Sequence, residues 1–222
     1  MKSFMREKGG WHTLGMLRIV LFVLSSLLLL SCSNSERTQP GMLHIEPVDL
    51  FAGDAQKFKP FLGDMSGAVK VSYEGKKETI RAVVEVWENG VKTDIGQAFD
   101  TMTRASTNNR HYDGQFLISV RESDANNEAS TRYVVTSAFA DDSEQSSVRT
   151  ELDAGRKHMA RGLIQLHDSV QVSEGEQVAV WGMQATDENA MHVMDFSPER
   201  LKLAKWALIV KLSAVNGTEV EK

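Results

Sequence analysis

Residues 80–88 of this chain, IRAVVEVWE, alternate in side-chain character and run straight into Asn89-Gly90. Ile80, Ala82, Val84 and Val86 fall on one side of an extended backbone, and Arg81, Val83, Glu85 and Trp87 on the other. Successive side chains of a strand point to opposite faces, so this spacing describes a half-buried strand. Asn and Gly both tolerate positive φ, and a two-residue hairpin needs this at both of its central positions. The run therefore has to turn back on itself, with residues 91–99 as the returning strand. One antiparallel pair is thus specified from about twenty residues, and a pair with one apolar face needs a second layer to cover it.

The same period of two recurs along the chain. Val69, Val71 and Tyr73 alternate with Lys70 and Ser72, before a turn at Glu74-Gly75-Lys76-Lys77. Phe116, Ile118 and Val120 mark a run over 114–121, and Tyr133, Val135 and Phe139 one over 132–139. Residues 177–184 (QVAVWGMQ) form another after the turn Ser173-Glu174-Gly175-Glu176, with 163–172 as its expected hairpin partner. Ser197-Pro198 opens one helical turn, with Ser as the cap and Pro at the first helical position. Trp206, Leu208, Val210 and Leu212 then continue at period two. Residues 42–61 are mixed: HIEPVDLF suits a short strand, while Pro47 and Pro60 limit any helix. Seven or eight short strands with Gly-, Asn- and Ser-rich turns predict an all-β chain, an antiparallel β-sandwich with a barrel as the alternative. Long helical patterns are absent, which disfavours folds with crossover helices.

The first 46 residues have a different logic. Residues 1–18 hold Lys2, Arg6, Lys8 and Arg18 against Glu7 alone, and the twelve residues 19–30 carry no charge. A basic start, a short apolar run and small residues at its end describe a secretory signal peptide. Twelve residues are too few to cross a bilayer, which takes roughly 20. Leu29-Leu30-Ser31-Cys32 resembles the lipobox of bacterial lipoproteins. In that family the cysteine thiol receives a diacylglycerol and the chain is cut before it. The resemblance implies that Cys32 becomes a lipidated N-terminus, held extracytoplasmically at a bacterial membrane. Ser33 is not the aspartate that signals inner-membrane retention in Gram-negative members. Met5 and Met16 are alternative initiators, since the start is long for that family.

This gives three segments: a signal peptide over 1–31, a lipidated N-terminus and flexible spacer over 32–46, and one β-sandwich domain over 47–222. The spacer begins SNSERTQP, which has no aliphatic residue to bury. The layout, an acyl tether carrying one small β-domain, resembles small lipoproteins of bacterial envelopes and implies no particular activity. Residues 1–31 hold four bases and one acid, so the remainder stands at −8 against −5 for the whole chain. That acidic balance opposes binding to nucleic acid, whose phosphates carry the same sign. Cys32 is the only cysteine, so no disulfide can form within the domain and its stability has to come from a core.

Candidate site residues are sparse. Trp87 falls on the polar side of its strand, where an open indole would stack on a sugar or anchor a protein. The competing reading packs it under a loop or against the second sheet. Histidines fall mostly in stretches that read as polar loops, 100–113, 122–131, 141–161 and 186–200: His111, His158 and His192 lie there, and His167 lies outside them. His158-Met159 and Met191-His192-Val193-Met194 combine imidazole with thioether, a pairing that suits Cu(I). Asp124, Asn126 and Glu128, and separately Asp141, Asp142 and Glu144, alternate oxygen donors without the EF-hand spacing or its glycine. Solvated side chains account for all of these sets, and no metal or cofactor is assigned. The mature chain has no Gly-x-Ser-x-Gly elbow, no His-Glu-x-x-His and no phosphate-cradling loop. The expectation is a non-catalytic binding or structural module that meets an envelope protein, a peptide or a glycan. The alternative is a hydrolase or metal-dependent enzyme with its site built from end loops.

Overall fold

The computed structural model describes residues 39–123, 130–188, 191 and 194–217. Cys32 and the rest of the tether, Asp124, Asn126, Glu128 and His192 lie outside the described residues. β1 (Met42–Val48) leads through a 3-10 turn (Gly53–Phe58) and one helical turn, α1 (Lys59–Leu62), to β2 (Ser66–Gly75). β3 (Thr79–Glu88), β4 (Val91–Met102), the two-residue β5 (Arg104–Ala105) and β6 (Arg110–Glu122) follow. Then come β7 (Arg132–Ala140), β8 (Gln145–Asp153), β9 (Ala160–Gln165), β10 (Val170–Ser173) and β11 (Val178–Thr186). A second helical turn, α2 (Pro198–Leu201), precedes β12 (Trp206–Val215).

The strands make two antiparallel sheets that pack face to face. One runs β10-β1-β2-β6-β7-β8 with β5 beside β6; the other runs β4-β3-β12-β11-β9. The β-sandwich expected from the period-two runs is the architecture found. The β3–β4 hairpin is also as expected: Asn89 has φ +49° and Gly90 φ +75°, and Glu88 pairs with Val91 across the turn. β1 opens at Met42, inside the stretch expected to be spacer.

Alternate side chains of both sheets meet in one core. Leu43, Ile45, Val71 and Phe116 come from the first sheet, and Ile80, Leu208, Val210 and Leu212 from the second. Burying each such side chain contributes about 1.5–3 kcal/mol. Trp206, Tyr73, Tyr133 and Phe139 are among the largest fully buried groups. The register of β11 against β12 shifts between Ala179 and Trp181. This bulge turns two consecutive residues, Val180 and Trp181, into the core. Trp181 fits there because Gly67 faces it; a Cβ on Gly67 would lie 2.6 Å from the indole ring.

Among the described residues there are twelve strands where seven or eight were expected. Two of the additional ones, β5 and β8, lie in stretches that read as polar loops. β8 occupies much of 141–161, and seven of its nine residues are exposed. This edge strand shows only a short alternation, Val148 and Leu152 against Arg149 and Glu151, inside an otherwise polar run. The expected hairpin of 163–172 with 177–184 divides in two. β9 pairs with β11 as anticipated, but β10 crosses to the other sheet and pairs with β1. α2 forms at Pro198 as predicted, though the Ser197 hydroxyl does not cap it; it donates to Asp195 Oδ1 instead.

Candidate functional site

Phe58 and Phe61, three residues apart, are large apolar side chains left 52 % and 73 % accessible. They sit on the loop between β1 and β2, and local chemistry explains its shape. Asp49 Oδ1 accepts the Phe51 N–H at 3.0 Å and starts the turn. Pro60 occupies the first turn of α1, where its missing N–H costs no hydrogen bond. Gly63, at φ +83°, ends it and donates its N–H to the Lys59 carbonyl at 2.9 Å. The Leu62 carbonyl accepts hydroxyls from Ser66 and Ser119, both at 2.8 Å, and the Phe61 carbonyl accepts from Arg121. The backbone is thus tied to β2 and β6 while the two rings project. No residue of this loop's helical turns is buried. Lys57 Nζ lies 5.5 Å over Phe58, and Lys59 Nζ 5.9 Å over Phe51.

The start of the same loop borders a cleft of about 260 Å³ between the sheets, lined by Leu50, Phe51, Ala68, Leu166, Val180 and Trp181. Trp181 Nε1 is buried there without a hydrogen-bond partner among the described residues. Phe58 and Phe61 thus stand exposed on an anchored backbone, on the same loop as the cleft's Leu50 and Phe51.

A larger cleft of about 440 Å³ lies over the first sheet, lined among others by Lys70, Arg104, His111, Asp113, Asp141 and Asp142. Two of its charges are satisfied by each other. Asp141 pairs with Arg104, and its Oδ1 accepts the N–H groups of Ser143 and Glu144 and the Ser143 hydroxyl. The Ser143 amide, foremost among these, holds the Asp141 carboxyl down at about 2. Asp141 is therefore the keystone of the β7–β8 turn. His111 is exposed at the rim of this cleft. Among the described residues, no three or more His, Cys, Asp or Glu side chains are placed to hold a metal.

Trp87 is not an open platform. It is half-buried in a second apolar cluster on the outer face of the β4-β3-β12-β11-β9 sheet, with Ile164, Leu201, Ala204, Ala207 and Ile209. The segment around α2 folds over that face, and Met194 and Phe196 complete the cover. Strand alternation assigns Trp87 to the correct side; what it cannot show is that a distant segment covers that side. Beside it, Glu85 is 2 % exposed and bonds to both Lys92 and Lys211 at 2.9 Å. Burial alone would raise its carboxyl, but the two lysines outweigh burial and hold it below the usual range.

His158 and Met159 point in opposite senses, 6 % and 67 % exposed, so they do not form a joint ligand pair. His158 Nδ1 shares a 2.8 Å hydrogen bond with the Tyr133 hydroxyl, and the His158 backbone N–H donates to Thr131 Oγ1. The imidazole stacks on Tyr133 and lies 5.4 Å from Trp206, centroid to centroid. Burial, reinforced by the charge of Arg156, lowers its pKa from 6.5 to about 4. Between those two values the unfolded chain takes up a proton that the folded chain refuses. Stability is therefore complete above about 6.5 and falls as the pH drops to about 4, by up to about 3 kcal/mol. Urea midpoints at pH 7 and pH 4.5 should show this difference, and His158→Gln should flatten it. An equal slope in wild type and variant would mean that other groups set the acid sensitivity.

No family model, curated protein or solved structure matches this chain. The site residues therefore stand on geometry alone. Phe58 and Phe61 carry one sequence signal, FKPF, in which two phenylalanines flank a lysine and a proline. Proline excludes a long helix and the spacing fits no strand, so a turn with displayed rings is the reading those four residues allow.

Proposed function

We propose that this chain is a lipoprotein, held by acyl chains on Cys32 at the outer side of a bacterial membrane. Its β-sandwich serves as a non-catalytic binding or structural module of the cell envelope. The basic start, the uncharged run and Leu29-Leu30-Ser31-Cys32 support the anchor. Two or more acyl chains hold firmly, since each buried methylene contributes about 0.8 kcal/mol while a single chain is marginal.

The observation that carries the binding role is the Phe58/Phe61 tip. The tether enters at the Met42 end of β1, and the tip follows the Val48 end. Seven residues of strand separate the two ends by roughly 20 Å. The tip is thus presented clear of the point of attachment, where an envelope protein, a peptide or a glycan can reach it. Trp87, packed in its own layer, contributes to stability instead.

Two measurements test this. Metabolic labelling with a fatty-acid analogue should mark the wild-type chain and leave Cys32→Ala unlabelled. A photoreactive residue at position 61 of the full chain, irradiated in its own cells, should give discrete adducts. Phe58→Ser should reduce those adducts about tenfold, as removal of an aromatic hot spot does. Equal labelling of both chains sinks the anchor. Absence of adducts, together with ester, glycoside or peptide hydrolysis abolished by His111→Ala, would replace the module with an enzyme.

A further inference from the structure

We propose that β8 pairs edge to edge with β8 of a second copy of this chain, antiparallel, about a two-fold axis at Thr150. β8 ends its sheet, and among the described residues no strand lies against its outer edge. Such edges are usually blunted by lysine, proline or a bulge. Gln145–Asp153 contains neither residue, and its nine pairs with β7 run without a shift. Val148 stands opposite Ser137 and shares the inward row of β7, yet it remains 38 % exposed. The second sheet therefore stops short of covering this edge.

The sequence of β8 is self-complementary in one register. With Thr150 opposite its own copy, Arg149 faces Glu151 of the second chain, and Glu151 faces Arg149. Val148 likewise faces Leu152, twice. Neither Arg149 nor Glu151 has a charged partner among the described residues, and both side chains are exposed. Opposite charges directly across an antiparallel pair stabilise it, and like charges destabilise it. Centring the pair on Arg149 sets arginine against arginine, and centring it on Glu151 sets glutamate against glutamate. Placing Arg149 opposite Thr150 of the second chain would align the inward row of one copy with the solvent row of the other. Of these four registers, the Thr150 one alone aligns the faces and pairs opposite charges, and it joins the two larger sheets into one. The two-fold axis stands perpendicular to that sheet and leaves one Phe58/Phe61 tip at each far end. The pairing does not depend on lipidation.

Register-specific cross-linking of the full chain in its membranes tests this. Directly opposed residues in an antiparallel pair bring Cβ atoms about 4.5–5.5 Å apart, within reach of a disulfide. Thr150→Cys, treated with mild oxidant, should give a covalent dimer well above the background set by Cys32 in the parent chain. Ser147→Cys, whose position faces Asp153, should not. In the Thr150→Cys background, Arg149→Glu and Glu151→Arg should each cut the dimer several-fold, and the two together should restore it. These exposed charge changes leave the core untouched, so a loss of dimer reports on pairing. Equal dimer from Ser147→Cys and Thr150→Cys, or no rescue by the charge swap, would overturn the proposal.

Discussion

Gly90→Val is expected to cost more than about 3 kcal/mol, and it should appear as a lower urea midpoint with little change in slope. Two effects add. At φ +75° a β-branched residue is strained, which costs about 1–3 kcal/mol. In addition, a Cβ at this position would lie 2.1 Å from the Lys202 carbonyl oxygen. That oxygen belongs to the backbone just after α2, so the segment has to move. Moving it breaks the bonds from Asn89 N–H to the Lys205 carbonyl and from Gly90 N–H to the Ala204 carbonyl. It also lifts the cover from Trp87. Gly175→Ala provides the control. Gly175 has φ +85° but nothing within 4 Å of its would-be Cβ, so its loss should be confined to strain, about 1 kcal/mol. If the two variants lose equal stability, the tip of the hairpin does not bear on the segment after α2.

Trp206→Ala is expected to destabilise by about 3–5 kcal/mol, the range for truncating a buried aromatic. Trp206 is 1 % exposed, with Tyr133 at 5.1 Å and His158 at 5.4 Å between ring centroids. Its Nε1 has no hydrogen-bond partner among the described residues, so the loss comes from packing rather than from a broken bond. Trp206→Phe should therefore recover much of the stability. The cavity left by alanine also lies beside His158, and water entering it would raise the imidazole pKa toward 6.5. Histidine titration followed by NMR separates this from simple loosening elsewhere. An unchanged titration together with full stability would place Trp206 outside the core.

Alternation marks the inward rows of β3, β6, β7 and β12 in their own residues, so these strands are legible even where, as in β12, both faces end up buried. Asn89-Gly90 declares its turn because few residues tolerate two positive φ values in succession. β8 leaves only a short trace, Val148 and Leu152 alternating with Arg149 and Glu151 inside an otherwise polar run, and its pairing with β7 makes it a strand. β10 departs from its expected hairpin because VQVS suits either sheet; its pairing with β1 depends on where the chain crosses over, which no local pattern encodes. Among candidate site residues the contrast is the same. Alternation puts Trp87 on the correct side but leaves it looking open, since its cover comes from residues more than a hundred positions later. His158 sits in a polar stretch and is nonetheless buried, because Tyr133 and Trp206 close around it.

By itself, the amino-acid sequence determined the all-β class, the β3–β4 hairpin and the inward rows of the central strands. These follow from steric limits on φ and from the two-residue period, both local properties. The tertiary structure decided which strand joins which sheet, which outward face is covered a second time, and which edge stays open. It also decided that Phe58 and Phe61, rather than Trp87, face solvent. Those outcomes depend on contacts between residues far apart in the chain, where burial is settled by what arrives from elsewhere.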